Sequence, residues 1–142
     1  MIQERQFLNF IPPKLDGDNT QNKRRYMIVA KNDSNNTIDM INISKISDRN
    51  IRNLIKDYNV ILKDYKPLKL PSFAKTNTIY RIKYFDELNN FISFGGEKLN
   101  KNDFSNILIE RDNEIRKNKK EKVIFFTKEE FLNKNPIEVN IN

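Results

Sequence analysis

KRRYMIVAKNDSNNTIDMINIS, residues 23–44, reads as two strands joined by a polar turn. Tyr26 to Lys31 is a short apolar run rich in β-formers, which fits a strand buried on both faces. NDSNN supplies turn residues, and Thr37 to Ile43 alternates well enough to be the hairpin partner. Lys23, Arg24 and Arg25 precede the first strand, and Ser44 with Lys45 closes the second. Such a hairpin brings phosphate-binding charge and a small hydroxyl to the same end of a sheet.

The flanking segments extend the hairpin into a mixed domain. Arg5 to Ile11 reads as a first strand, stopped by Pro12-Pro13, which can continue neither a ladder nor a helix. The polar KLDGDNTQNK follows, with Asp16-Gly17 as its turn signal, a loop able to close over a ligand or simply to connect. Ser47 can cap a short helix with Ile51, Leu54, Ile55 and Tyr58 on one face, and Asn59 to Lys63 is a further strand candidate. SFAKTNTIYRIK, Ser72 to Lys83, reads as a long strand with Lys75 and Asn77 on one face and Ala74 and Thr76 on the other.

Beyond it, Gly95-Gly96 breaks the chain. Asn100 as N-cap, Asp103 three residues on, and Phe104, Ile107 and Leu108 on one stripe predict a helix to about Arg116. RKNKKEK reads as a charge run solvating the helix end. KVIFF is one more strand, Thr127 and Glu130 open a short helix as a capping box before Pro136, and IEVNIN is an edge-strand candidate.

A chain of 142 residues suits one domain with a real core and not two ordinary ones. The net charge of +7 favours an anionic partner, most simply RNA or DNA, although a genome bias towards Lys, Asn and Ile gives the same composition. Without cysteine or histidine, disulfides and thiolate metal sites are excluded and the commonest proton shuttle is missing. No run of about 18 apolar residues occurs, and MIQERQ has no apolar run behind it, so the expectation is a cytoplasmic protein with no membrane contact.

No Gly-rich phosphate loop, HExxH or nucleophile beside a histidine is present, which disfavours P-loop, zinc and serine hydrolase chemistry. RNA carries its own nucleophile, the 2′-hydroxyl, so a protein can cleave it by positioning the phosphate and stabilising transition-state charge. Arg25 suits that work because a planar guanidinium grips phosphate with two bonds and stays charged. Ser44 can hydrogen-bond the 2′-hydroxyl or a phosphate oxygen. By local pattern alone, the same two residues also read as a surface arginine and a turn-starting serine.

The order NKRRYMIVAKN, NTIDMINISKI, KLPSFAKTNTIYRI, then a Gly-Gly break and KLNKNDFSNIL, resembles the MazF/Kid/PemK-like toxins of bacterial toxin–antitoxin systems over roughly residues 5–116. The resemblance implies an α+β fold, mainly β: a small, strongly bent SH3-like barrel with a C-terminal helix, here followed by a short αβ extension over residues 117–142. It implies a metal-independent, cofactor-free endoribonuclease, usually a homodimer, that leaves 2′,3′-cyclic phosphate and 5′-hydroxyl ends and is held by a cognate antitoxin. Arg25 matches the family's phosphate-binding arginine and Ser44 its strand-end Thr or Ser. Lys75 and Asn77 align with an arginine and an aspartate of the Kid-like branch, Lys75 as a charge stabiliser. Lys23, Arg24, Lys45, Thr76 and Asn77 are expected to bind RNA around them. Tyr26 departs from the family's proline, and Asn77 cannot serve as a carboxylate base.

QNKRRYMIVA and MINISK also resemble the ToxN-like toxins, which share the barrel and are held by an antitoxin RNA; there Arg24 is the rival cation. A third reading keeps the barrel as a non-catalytic RNA- or protein-binding module.

Overall fold

The computed structural model describes residues 1–16, 22–33, 36–46, 58–62, 68 and 70–137. Its fold is α+β. Six strands form one sheet: β1 (Phe7–Phe10), β2 (Arg25–Asn32), β3 (Thr37–Lys45), β4 (Asn59–Leu62), β5 (Ser72–Lys83) and β6 (Val123–Phe126). The order is β1-β2-β3-β5-β4, with β6 joined to β5. All neighbours are antiparallel except β5 and β6. A parallel pair requires a crossover, and helix α1 (Lys101–Asn118) lies within it. Helix α2 (Lys128–Lys134) follows β6.

The hairpin expected over residues 23–44 forms, and its strands occupy the interior of the sheet. Residues 27–30 of β2 are all buried because apolar layers cover both sheet faces. On one face Leu8, Phe10, Met27, Val29, Met40, Tyr80 and Ile82 meet Phe85, Leu88 and Phe131. On the other, Phe7, Ile28, Ala30, Ile41, Ile43, Ala74 and Ile79 meet Phe104 and Ile107 of α1. Alternation along β1, β2 and β3 produces this division, and β5 changes parity between Ala74 and Ile79. Between β3 and β5, the buried Asp39 carboxylate accepts two bonds from Arg81, at 2.6 and 2.9 Å.

One irregularity shapes the rest. Met40 faces Tyr80, whereas Asn42 faces Lys75, so β5 carries surplus residues where it passes this part of β3. A bulge of this kind bends its strand and sharpens the twist. At the same place the other edge of β5 changes partner: β4 pairs residues 72–75 and β6 pairs residues 79–82. Thr76 spans the change, its backbone N–H and its hydroxyl both donating to the Tyr58 carbonyl, at 3.0 and 2.6 Å.

The caps form as their sequences indicate. Asn100 accepts from the Asp103 N–H, and Thr127 with Glu130 makes a reciprocal capping box. At the Gly-Gly break, Phe94, Gly95 and Gly96 have positive φ in succession, a turn that glycine adopts without a Cβ penalty. The first strand is shorter than expected because Arg5, with φ of 75°, lies in a turn.

The charge run at the end of α1 is exposed throughout, and its last two residues also make ion pairs. Lys119 takes a left-handed conformation that closes the helix, Glu121 approaches Arg81 and Arg111 at 3.7 Å, and Lys122 pairs with Asp16 at 2.7 Å. The expected helix beginning at Ser47 lies outside the described residues apart from Tyr58, which is in a turn; most of IEVNIN also lies outside them.

The C-terminal segment is tied to β1 through Asn135, which is 4% exposed. Its side chain accepts from the Ile11 N–H at 2.7 Å and donates to the Ile11 carbonyl at 2.9 Å and the Phe131 carbonyl at 3.0 Å. Asn135→Ala strands buried polar groups and should lower unfolding free energy by about 2 kcal/mol in urea titrations. A loss under about 0.5 kcal/mol would show that this attachment is dispensable.

Candidate functional site

Two adjacent rows of residues define the site. In the first, Phe10 faces Arg25, and continuing the Tyr26–Ile43 register sets Arg25 opposite Ser44, which faces Phe73. In the second, Leu8, Met27, Asn42, Lys75 and Asn59 face one another in turn across five strands. Neighbouring strands lie about 4.8 Å apart, and same-face residues along a strand about 7 Å apart. Arg25, Ser44, Asn42 and Lys75 therefore share one face at one end of the sheet.

The surroundings make this end chemically distinct. Phe10 and Phe73 are fully buried on either side of Arg25 and Ser44 in the first row. Arg25 is half-buried at the first position of β2, and Ser44 is 9% exposed near the end of β3. The Lys75 ammonium lies 5.9 Å from the centre of the Phe73 ring, a cation–π position that orients the side chain. The arrangement offers positive charge and neutral hydrogen-bonding groups on an apolar floor, which suits an anion more than a neutral ligand.

The remaining expected residues divide by location. Lys23 and Arg24 are exposed before β2, and Arg24 reaches back to the Asn9 carbonyl at 3.4 Å. Lys45 is exposed beyond Ser44. Thr76 is fully buried with its hydroxyl committed to Tyr58, so its observed work is to hold the bend of β5. Asn77 is turned towards Asp16, its amide donating to Oδ2 at 3.4 Å.

Sequence reasoning passed over three residues. Asn42 is 3% exposed, and its amide oxygen has no hydrogen-bond partner among the described residues. Its signal was an amide inside the apolar TIDMINI strand. Arg111, 6% exposed, continues the apolar stripe of α1, being seven residues after Phe104. A cation on an apolar stripe was the signal there. Asp16 had only a turn signal, because its partners come from β5 and from beyond α1.

Asp16 links the loop after β1 to those distant elements. Its carboxylate accepts from Lys122 at 2.7 Å and from Thr78 at 3.0 Å, and its backbone N–H donates to the Tyr80 hydroxyl at 3.0 Å. Burial pushes its pKa up, but the bonds from Lys122, Thr78 and Asn77 and the Lys122 charge outweigh that and hold it below the ordinary value. Neither a protein-family model nor a curated protein matches the chain.

Because the folded-state pKa of Asp16 is depressed, its stabilisation is complete above the ordinary value of 3.8 and is lost as pH falls through the folded-state value. Lys122 is half exposed, so the pair is worth about 1 kcal/mol or less. Asp16→Asn should therefore lower stability at neutral pH, with the difference from wild type shrinking below about pH 4. A pH-independent difference in urea midpoints would contradict this account.

Proposed function

We propose that the protein is a metal-independent endoribonuclease toxin of the MazF/Kid/PemK type. The observation that carries the reading is the cross-strand register that gathers Arg25, Ser44 and Lys75 on one face of the sheet end. The bulged β5 and the order of the hairpin motifs support the SH3-like barrel assignment. No helix among the described residues is long and apolar enough to cross a membrane. The reading places the protein in the cytoplasm as a homodimer held by an antitoxin, protein or RNA.

In the proposed reaction the RNA 2′-oxygen attacks the neighbouring phosphorus. The O2′–P bond forms, the P–O5′ bond breaks, the 2′-hydroxyl loses its proton and the departing 5′-oxygen gains one. Arg25 binds the non-bridging oxygens through two charge-assisted bonds. Ser44 orients the 2′-hydroxyl or a phosphate oxygen, and Lys75 offsets charge that builds in the transition state. Lys23, Arg24 and Lys45 lie on exposed positions around the site and add salt-sensitive attraction to the RNA backbone.

The low exposure of Ser44 favours a second reading, RNA binding without turnover. Incubation of RNA with the purified protein in EDTA separates the two. The nuclease reading predicts 2′,3′-cyclic phosphate and 5′-hydroxyl ends, with Arg25→Ala slowing cleavage by at least about 100-fold while the fold is retained. RNA left intact at high protein concentration would favour the binding module.

A further inference from the structure

A partly open cavity of about 620 Å³ lies beside the divided edge of β5. It lies between the end of the β4 pairing and the start of the β6 pairing. Its size is in the range of small-ligand sites. Tyr58 and Asn77 line it from the sheet, Arg111 and the buried Glu114 from α1, and Lys120, the more exposed Glu121 and Lys122 from the segment leading to β6. That segment belongs to residues 117–142, outside the family resemblance.

The walls combine an aromatic ring, a carboxylate and a cation. Tyr58 is half-buried. Burial, and then the charges of Asp16 and Glu114, push its pKa up and keep it a neutral phenol. Glu114 is 6% exposed and makes no ion pair among the described residues. Arg111 is also 6% exposed; it donates to the Thr76 carbonyl at 2.9 Å and the Lys122 carbonyl at 3.3 Å. Its Nε is buried with no partner among the described residues, and Glu121 lies 3.7 Å from its Nη2.

We propose that this cavity binds one guanine base of the RNA, with Glu114 reading its Watson–Crick edge and Tyr58 stacking on its face. The inference rests on the RNA-cleavage reading for its biological sense, but its chemistry is independent of it. A carboxylate offers acceptors only. Guanine sets two N–H groups side by side, N1–H and the N2 amino group, and so matches both oxygens. Adenine, cytosine and uracil each place an acceptor against the carboxylate. Aromatic stacking combined with hydrogen bonds to base edges is the usual way single-stranded RNA is read.

The cavity walls include Arg111 and Glu114 of α1, which covers the sheet face opposite Arg25, Ser44 and Lys75, so a base bound there sits apart from the proposed scissile phosphate. Lys120 is exposed and can hold the flanking backbone.

The test titrates the intact protein with guanosine, adenosine, cytidine and uridine while following the NMR signals of Asn77 and Lys122. Nucleosides lack phosphate, so the Arg25 site contributes nothing to the readout. Guanosine should bind at least about 10-fold more tightly than the others. Glu114→Gln should erase that preference, whereas Tyr58→Leu should weaken all binding while keeping the backbone carbonyl that holds Thr76. Equal binding of the four nucleosides, no binding, or a guanosine preference that survives Glu114→Gln would overturn the proposal. Guanosine selectivity in a protein that leaves RNA intact would retain this inference and defeat the nuclease reading; cleavage without nucleoside selectivity would do the reverse.

Discussion

The guanidinium of Arg111 is the interaction on which the arrangement of this molecule depends. It leaves α1 and donates to the Thr76 carbonyl on β5 and to the Lys122 carbonyl ahead of β6. Those two groups mark where β5 exchanges one edge partner for another. Burying such a cation costs several kcal/mol in lost hydration, while each charge-assisted bond to a carbonyl returns about 1.5–3 kcal/mol. Its net contribution to stability is therefore small. Its larger effect is geometric, because it ties the helix, the bend and the incoming strand to one point.

That point also sets the position of the candidate site. Thr76 and its bonds to Tyr58 hold the bend, and the register on the near side places Lys75 beside Asn42 and the β2–β3 hairpin. A one-residue slip in β5 would turn Lys75 to the opposite face and put a neighbour in its place. Asp16 ties the loop after β1 to the same region through Thr78, Tyr80 and Lys122. The structural bonds and the proposed chemistry therefore meet on one bent strand.

The hairpin and the long strand were legible because apolar runs and alternation report burial directly, and the caps at Asn100 and Thr127 because capping is local chemistry. The bulge was not legible. Nothing in SFAKTNTIYRIK states that Asn42 and Met40 will face residues five apart on β5, since this depends on partners from both edges. RKNKKEK solvates the helix end as read, but its last two residues were legible only in part: Glu121 and Lys122 find partners after the left-handed turn at Lys119 returns the chain towards β5. Within the site, Arg25, Ser44 and Lys75 were visible as residue types at strand positions, whereas Asn42 was masked by its apolar neighbours. The chemistry assigned to them came from the family resemblance.

The central claim is that Arg25 and Ser44 act on one phosphate. A double-mutant cycle on RNA cleavage, using Arg25→Ala, Ser44→Ala and the double variant, measures this most directly. The account predicts a coupling energy of about 1 kcal/mol or more, with the double variant losing less than the two single losses combined. Additive losses, within about 0.5 kcal/mol, would contradict it.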